Sequence, residues 1–314
     1  MRLHEQNDEF SDLITLTADW IGIPEDAVKR DYFIVMLLQR LEKSRFADTC
    51  VFKGGTSLAK CYPGSICRFS EDIDLTYVPK TEIGNKQYDR DLKEIEEVIS
   101  AGFTLEKIGG ERNKRNKSSN VWFDESDRNG KIKLEIGTSV RPDPFGKKSL
   151  RTYIHDYLLE NKRLSEISEF GLCDVSVNTL DITRTFLDKV MAVKRHTVCK
   201  NIKAKVRHIY DVTMLFRLEE VQEFLSKTDA LRDLLEETKK SDVVYLEKRP
   251  MSAGYTADEP YGFNSWGQLL KDEAVRTEYE NLGETMVYTD KKLDFDEAIE
   301  VFTRINEIFT SIGE

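Results

Sequence analysis

No stretch of this chain is apolar for long enough to cross a bilayer. The longest apolar run near the start, Tyr32 to Leu38, falls far short of the roughly 20 residues that a spanning helix needs, and no signal-peptide pattern precedes it. The chain is therefore expected in the cytoplasm, with no membrane partner. Cysteine is sparse: Cys50, Cys61, Cys67, Cys173 and Cys199 form neither a CxxC pair nor an even framework, and the four histidines are scattered. That pattern argues against a zinc site and for incidental thiols in a reducing compartment, including Cys61 and Cys67, which lie near the motifs below. Internal repeats and low-complexity segments are also missing. What is present is 314 residues, 39% of them hydrophobic, ample for a core and for one bilobal unit or two domains.

Positive charge is scarce and unevenly placed. The net charge of −10 disfavours nucleic acid at first sight, yet residues 218–314 alone carry 11 basic and 23 acidic side chains, whereas residues 181–217 hold nine basic against three acidic. A second basic run, Arg112-Asn113-Lys114-Arg115-Asn116-Lys117, sits between Gly109-Gly110 and Ser118-Ser119. It reads as an exposed hairpin or loop, either merely solvated or gripping RNA phosphates. The acidic region serves a basic partner or nothing at all.

The most informative segment is Lys53-Gly54-Gly55-Thr56 followed by Asp72-Ile73-Asp74. Cys50 to Lys53 is a short apolar run that reads as a strand and stops at two glycines, which turn without steric cost. Thr56-Ser57-Leu58-Ala59-Lys60 reads as the first turn of a helix, so unpaired N–H groups and the positive end of the dipole would face the loop and could hold a phosphate. Asp72 and Asp74, spaced by two in a strand-like stretch, would share one face while Ile73 and Leu75 point into a core. Two hard oxygen ligands suit Mg²⁺ or Mn²⁺, and two such ions roughly 3.5–4 Å apart serve in-line displacement. The reaction class is then nucleotidyl or phosphoryl transfer. Glu135, on the alternating strand Lys131 to Ile136, is either a third metal ligand or a solvated strand residue. A lone GG turn or a lone D-x-D is common; their order along the chain favours the functional reading.

Together, Val28 to Tyr32, Phe52 to Lys60, and Arg68-Phe69-Ser70-Glu71-Asp72-Ile73-Asp74-Leu75 resemble the AbiEii/AbiGii toxin family, nucleotidyltransferases of the DNA polymerase β superfamily. Thr183 to Lys189 and Arg207 to Asp211 look like that family's third and fourth motifs, so the likeness covers roughly residues 28–216. The gap from GG to D-x-D is longer than the generic superfamily pattern but similar to this family's. The resemblance implies that Lys53, Gly54, Gly55 and Thr56 hold the triphosphate, that Asp72 and Asp74 hold metal, that Lys189 and Asp211 complete the site, and that Arg68 and Ser70 flank the nucleotide. It also implies NTP as substrate, a tRNA 3′ end or other RNA as acceptor, a cognate antitoxin, and a role in a toxin–antitoxin or abortive-infection system.

The residues themselves leave alternatives open. Ile182, Phe186, Val190 and Val193 follow helical spacing and leave Lys189 on another side, where it is a solvent lysine or meets a phosphate. Arg207, His208 and Asp211 share a helix face by spacing, so Asp211 is either a surface partner of Arg207 or a site residue. His196 and His208 are structural or nucleic-acid-facing rather than general bases. Helices are expected over 8–20, 27–44, 180–197, 204–217, 219–226, 229–240, 265–281 and 294–311, and strands near 50–53, 72–78, 119–124 and 131–140, with Arg141 to Gly146 ending the sheet. The loop from Arg249 to Asn264 is a packed surface loop or a substrate-facing flap.

The expected protein is α+β, with a polymerase β-like nucleotidyltransferase core lobe over residues 1–176 and a helical C-terminal lobe over 177–314 that completes a cleft. Its reaction moves a nucleoside monophosphate from an NTP to an acceptor. The alternatives are a protein nucleotidyltransferase or kinase-like transferase, and a nucleotide-binding regulator without turnover.

Overall fold

The structure is a computed structural model that describes residues 1–138, 141–198, 201–246, 272–288 and 293–312. The loop from Arg249 to Asn264, Cys199 and the first part of the helix expected from residue 265 lie outside the described residues. The chain divides into two compact units. One comprises residues 1–61, 69–138 and 145–180; the other comprises 62–68, 139–144 and 181–314.

The first unit begins with α1 (Asn7–Ile21) and α2 (Glu25–Glu42), followed by β1 (Cys50–Lys53), α3 (Gly54–Cys61), β2 (Ile73–Tyr77) and α4 (Asn85–Ser100). Then come β3 (Thr104–Lys107), β4 (Asn116–Trp122), β5 (Lys131–Gly137) and β6 (Phe145–Leu150), and after them α5 (Tyr153–Glu160), α6 (Leu164–Glu169) and β7 (Val175–Leu180). All seven strands form one mixed sheet in the order β3-β4-β5-β2-β1-β7-β6. The centre is set by sequence: Cys50, Val51 and Phe52 of β1 are all buried, the mark of a strand covered on both faces. Toward β5 the pattern becomes alternating. Ile132, Leu134 and Ile136 are buried, facing Leu92, Ile95 and Ile99 of α4, while Lys131, Lys133 and Glu135 stay half-exposed on the other side. Helix α2 is apolar nearly all round and packs against α1, α4, α5, β5 and β7, as a core helix must.

The second unit is helical: α7 (Ile182–Val198), α8 (Val206–Phe216), α9 (Glu219–Ser226), α10 (Thr228–Leu246), α11 (Glu273–Thr285) and α12 (Phe295–Ser311). Helix α8 contacts α7, α9, α11 and α12, and Ile209, Val212 and Leu215 are fully buried there.

Two expectations are corrected. Arg141 to Gly146 does not end the sheet, because β6 starts at Phe145 and pairs antiparallel with β7 from Phe145↔Leu180 to Leu150↔Val175. Only one residue of β6 is buried, so this edge strand has no apolar alternation to read. The basic run 112–117 is not a free RNA-gripping loop either. Arg112 forks onto the buried carboxylate of Glu96 at 2.6 and 2.8 Å, Lys117 is buried and bonds Asp89 at 2.9 Å, and Arg115 lies 3.7 Å over the Tyr88 ring. These three cations are engaged inside the unit, and the fourth, Lys114, is exposed.

Removing Arg112 leaves Glu96 as a buried charge that still accepts from the Ser119 hydroxyl. Arg112→Ala is expected to lower stability by about 3–5 kcal/mol in urea unfolding. An RNA-gripping role would instead leave the unfolding midpoint unchanged and weaken RNA binding.

Candidate active site

The glycine bend and the acids meet within the first unit. Gly54 has φ +86°, which L side chains rarely adopt, and a Cβ placed on it would lie 2.3 Å from Asp74 Oδ2. Glycine is required there twice over, for the backbone and for the carboxylate that occupies the space of its missing side chain. Strand register sets the neighbours. Lys53 of β1 pairs with Asp74 of β2, and Asp74 pairs with Glu135 of β5, so the three side chains form a row on one face of the sheet. Asp72 directly precedes β2, and Ile73 and Leu75 are buried, as alternation predicts.

Thr56 is fully buried, and its hydroxyl is spent locally. It donates to the Asp72 carbonyl and is hydrogen-bonded to Ser70 Oγ at 2.9 Å, tying the start of α3 to the segment that carries the acids. Any phosphate contact from Thr56 is left to its backbone N–H in the first turn of α3. At the far end of α3, Lys60 forms a buried ion pair with Asp31 of α2 at 2.5 Å and lies 3.9 Å from the Tyr153 ring centre, while Asp31 also accepts the Tyr153 N–H. Helix α3 is thus clamped from both ends. Sequence reading missed the Asp31–Lys60 pair, since 29 residues and no periodicity separate its members.

Glu135 stands beside Asp74 but is ion-paired to Lys133, which also meets Glu111 at 2.9 Å. Burial opposes the charge on Lys133, yet its bonds to Glu135 and Glu111 raise its pKa. Among the described residues no three His, Cys, Asp or Glu side chains converge as a ready-made metal site. The donors beside the bend still suit a hard divalent cation, because magnesium takes one or two protein carboxylates and completes its shell with water and phosphate.

The second unit holds its own charged cluster. Asp211 of α8 is fully buried and accepts from Arg68 at 2.5 and 2.7 Å and from Lys189 of α7 at 2.6 Å. Burial alone would push this carboxyl up, but the Arg68 and Lys189 charges and hydrogen bonds hold it well below the ordinary range. The surface alternatives fall for Asp211 and for Lys189. Asp211 is not a surface partner of Arg207, which is exposed while Asp211 is not. Lys189 is buried rather than on a solvent side of α7, and Arg68 directs its guanidinium at Asp211. The Arg68–Asp211 pair spans 143 positions, beyond any local signal. Nearby, His208 and His196 stack with ring centres 6.0 Å apart, and burial followed by the Lys189 charge drives the His208 pKa far down. A neutral, buried imidazole fits the structural reading.

The first unit thus brings a glycine bend against a carboxylate with a second acid two residues away, and the second unit holds a buried lysine anchored by a buried aspartate. The chain belongs to the AbiEii nucleotidyl transferase toxin family of type IV toxin–antitoxin systems, whose pattern matches residues 36–301. No curated protein sequence matches it. Among solved structures it is similar to the nucleotidyltransferase toxin MenT4 from Mycobacterium tuberculosis, at 19% identity over 95% of this chain and 98% of that one, with a TM-score of 0.47. It is also similar to JHP933 from Helicobacter pylori, at 18% identity over 83% and 95%, with a TM-score of 0.39. The α+β architecture expected from the sequence is present as one mixed seven-stranded sheet with flanking helices and a helical second unit.

Gly54→Ala forces either the αL backbone cost, about 1–2 kcal/mol, or displacement of the Asp74 carboxylate. Turnover at saturating NTP is expected to collapse while thermal unfolding shifts modestly. Asp211→Asn strands two buried cations and is expected to cost about 3–5 kcal/mol. Because the folded pKa of Asp211 is depressed, its contribution is fully present above the unfolded carboxyl value of about 4 and is lost as pH falls below it. Urea unfolding between pH 7 and pH 3 should therefore show a steeper acid loss for the parent protein than for Asp211→Asn.

Proposed function

We propose that this toxin nucleotidyltransferase transfers a nucleoside monophosphate from an NTP to an RNA acceptor, the 3′ end of tRNA. The acceptor hydroxyl oxygen bonds to the α-phosphorus, the bond from that phosphorus to the β-bridging oxygen breaks, pyrophosphate leaves, and the hydroxyl proton passes to solvent. The observation that carries the reading is the Asp74 carboxylate packed against the missing Cβ of Gly54. Asp72 and Asp74 would hold Mg²⁺ or Mn²⁺, with Glu135 the third acid available if it exchanges Lys133 for the ion. When bound, the cation neutralises charge developing on the phosphate oxygens.

The chain's own residues do the rest. Lys53, Gly54, Gly55 and the N–H groups at the start of α3 receive the triphosphate, with Ser70 beside them. Thr56 holds the Asp72 segment in place. In the second unit, Asp211, kept ionised by the Arg68 and Lys189 charges, fixes the position of the Lys189 ammonium, the group that the family likeness assigns to the reaction. An RNA acceptor is supported by the exposed Lys203, Lys205 and Arg207 before and at the start of α8; Arg184, Lys189 and Lys194 of the same basic stretch are buried and take no part in surface binding. The cognate antitoxin and the cytoplasm complete the setting. No described helix is long and apolar enough to cross a membrane.

Purified protein incubated with each α-labelled NTP and total RNA is expected to label tRNA at its 3′ end. Asp72→Asn and Asp74→Asn should each reduce the rate by about 10²–10³-fold. Label on protein with none on RNA would reassign the acceptor to protein, and label undiminished in both variants would overturn the site.

A further inference from the structure

We propose that the exposed face of α1, centred on Trp20, is a docking site for a basic protein segment carrying an apolar stripe. This goes beyond the nucleotidyl transfer reading and does not depend on it. Of the seven exposed large apolar side chains among the described residues, five lie on α1, α5 and α6: Leu16, Trp20, Ile21, Leu159 and Leu164. Leu16 and Trp20 are 43% and 45% exposed and one turn apart, and the Trp20 indole stands edge-on to Tyr157 of α5 at 5.9 Å. The adjoining face of α1, formed by Phe10, Leu13, Ile14, Thr17 and Ala18, is buried, and α1 packs on α2 and α5. The edge contact with Tyr157 still leaves 45% of Trp20 open to solvent. A half-exposed indole one turn from an exposed leucine is the composition of a binding anchor.

Charge selects the occupant. Residues 5–26 carry Glu5, Asp8, Glu9, Asp12, Asp19, Glu25 and Asp26 and no lysine or arginine. All seven are exposed. Asp12 and Asp19 lie within a turn of Leu16 and so flank the apolar stripe. On the α5 and α6 side, Arg151 is paired with Asp156 and Arg163 with Glu166. RNA and anionic lipid are repelled by such a rim, and a second copy docked through the same face would set the two carboxylate sets against each other. A cationic protein segment with apolar residues at helical spacing satisfies both the rim and the anchor.

A photocrosslinking p-benzoyl-phenylalanine introduced at position 16 of the full chain, irradiated in the native host, tests the assignment. The expected adduct is with a protein, through a peptide of net positive charge. That peptide, synthesised, should bind the purified chain less tightly as salt rises. Trp20→Ala should weaken it about tenfold or more, and the double variant Asp12→Lys/Asp19→Lys similarly, while nucleotidyl transfer and the unfolding midpoint stay unchanged. An adduct with RNA or a second copy of this chain, no adduct, a peptide without net positive charge, or affinity indifferent to both variants would overturn the proposal.

Discussion

The first unit depends on a single close approach. Gly54 turns with positive φ and lets the Asp74 carboxylate occupy the volume a side chain would fill. Everything around it maintains that approach. β1 ends at the bend because it is the apolar centre of the sheet, and β2 pairs with it so that Asp74 lies opposite Lys53. The helix that follows is held by Thr56 near its start and by the buried Asp31–Lys60 pair at its end. A loop could present the same groups, but only a helix wedged between fixed points presents its N–H groups at a constant distance from a fixed acid.

The second unit solves a different problem, which is to bury a lysine beside an arginine. One carboxylate between two cations leaves a net positive cluster whose members satisfy one another's hydrogen bonds. Burial raises the cost of the arrangement and at the same time strengthens each interaction within it. His208, driven neutral beside the cluster, adds no further positive charge at physiological pH.

How much of this was legible beforehand follows the range over which each signal acts. The bend, the D-x-D pair, helices α1, α2, α7, α8, α9 and α12, and strands β1, β2 and β5 all carry local patterns, and they stand within a few residues of where spacing puts them. Helix α4 was not expected, because its many charges masked the stripe of Leu92, Ile95 and Ile99. The edge strands β3 and β6 bury almost nothing and so print no alternation. For the candidate site, residue identity came from motif and family likeness, while the partners did not. Arg68 reads as a nucleotide neighbour until Asp211 claims it, and Lys133 competes for Glu135 in a way that alternation alone could not show. Pairings across long stretches of chain are fixed by packing, which a linear pattern does not encode.

The two rims of the sheet have a consequence for the protein in bulk. One rim, β3, is four residues long and ends in Glu106 and Lys107; the other, β6, carries Lys147 and Lys148 on an exposed strand. Short or lysine-bearing borders resist extension by a neighbouring ladder, so the apolar interior of a seven-stranded sheet can exist at high local concentration without templating fibrils.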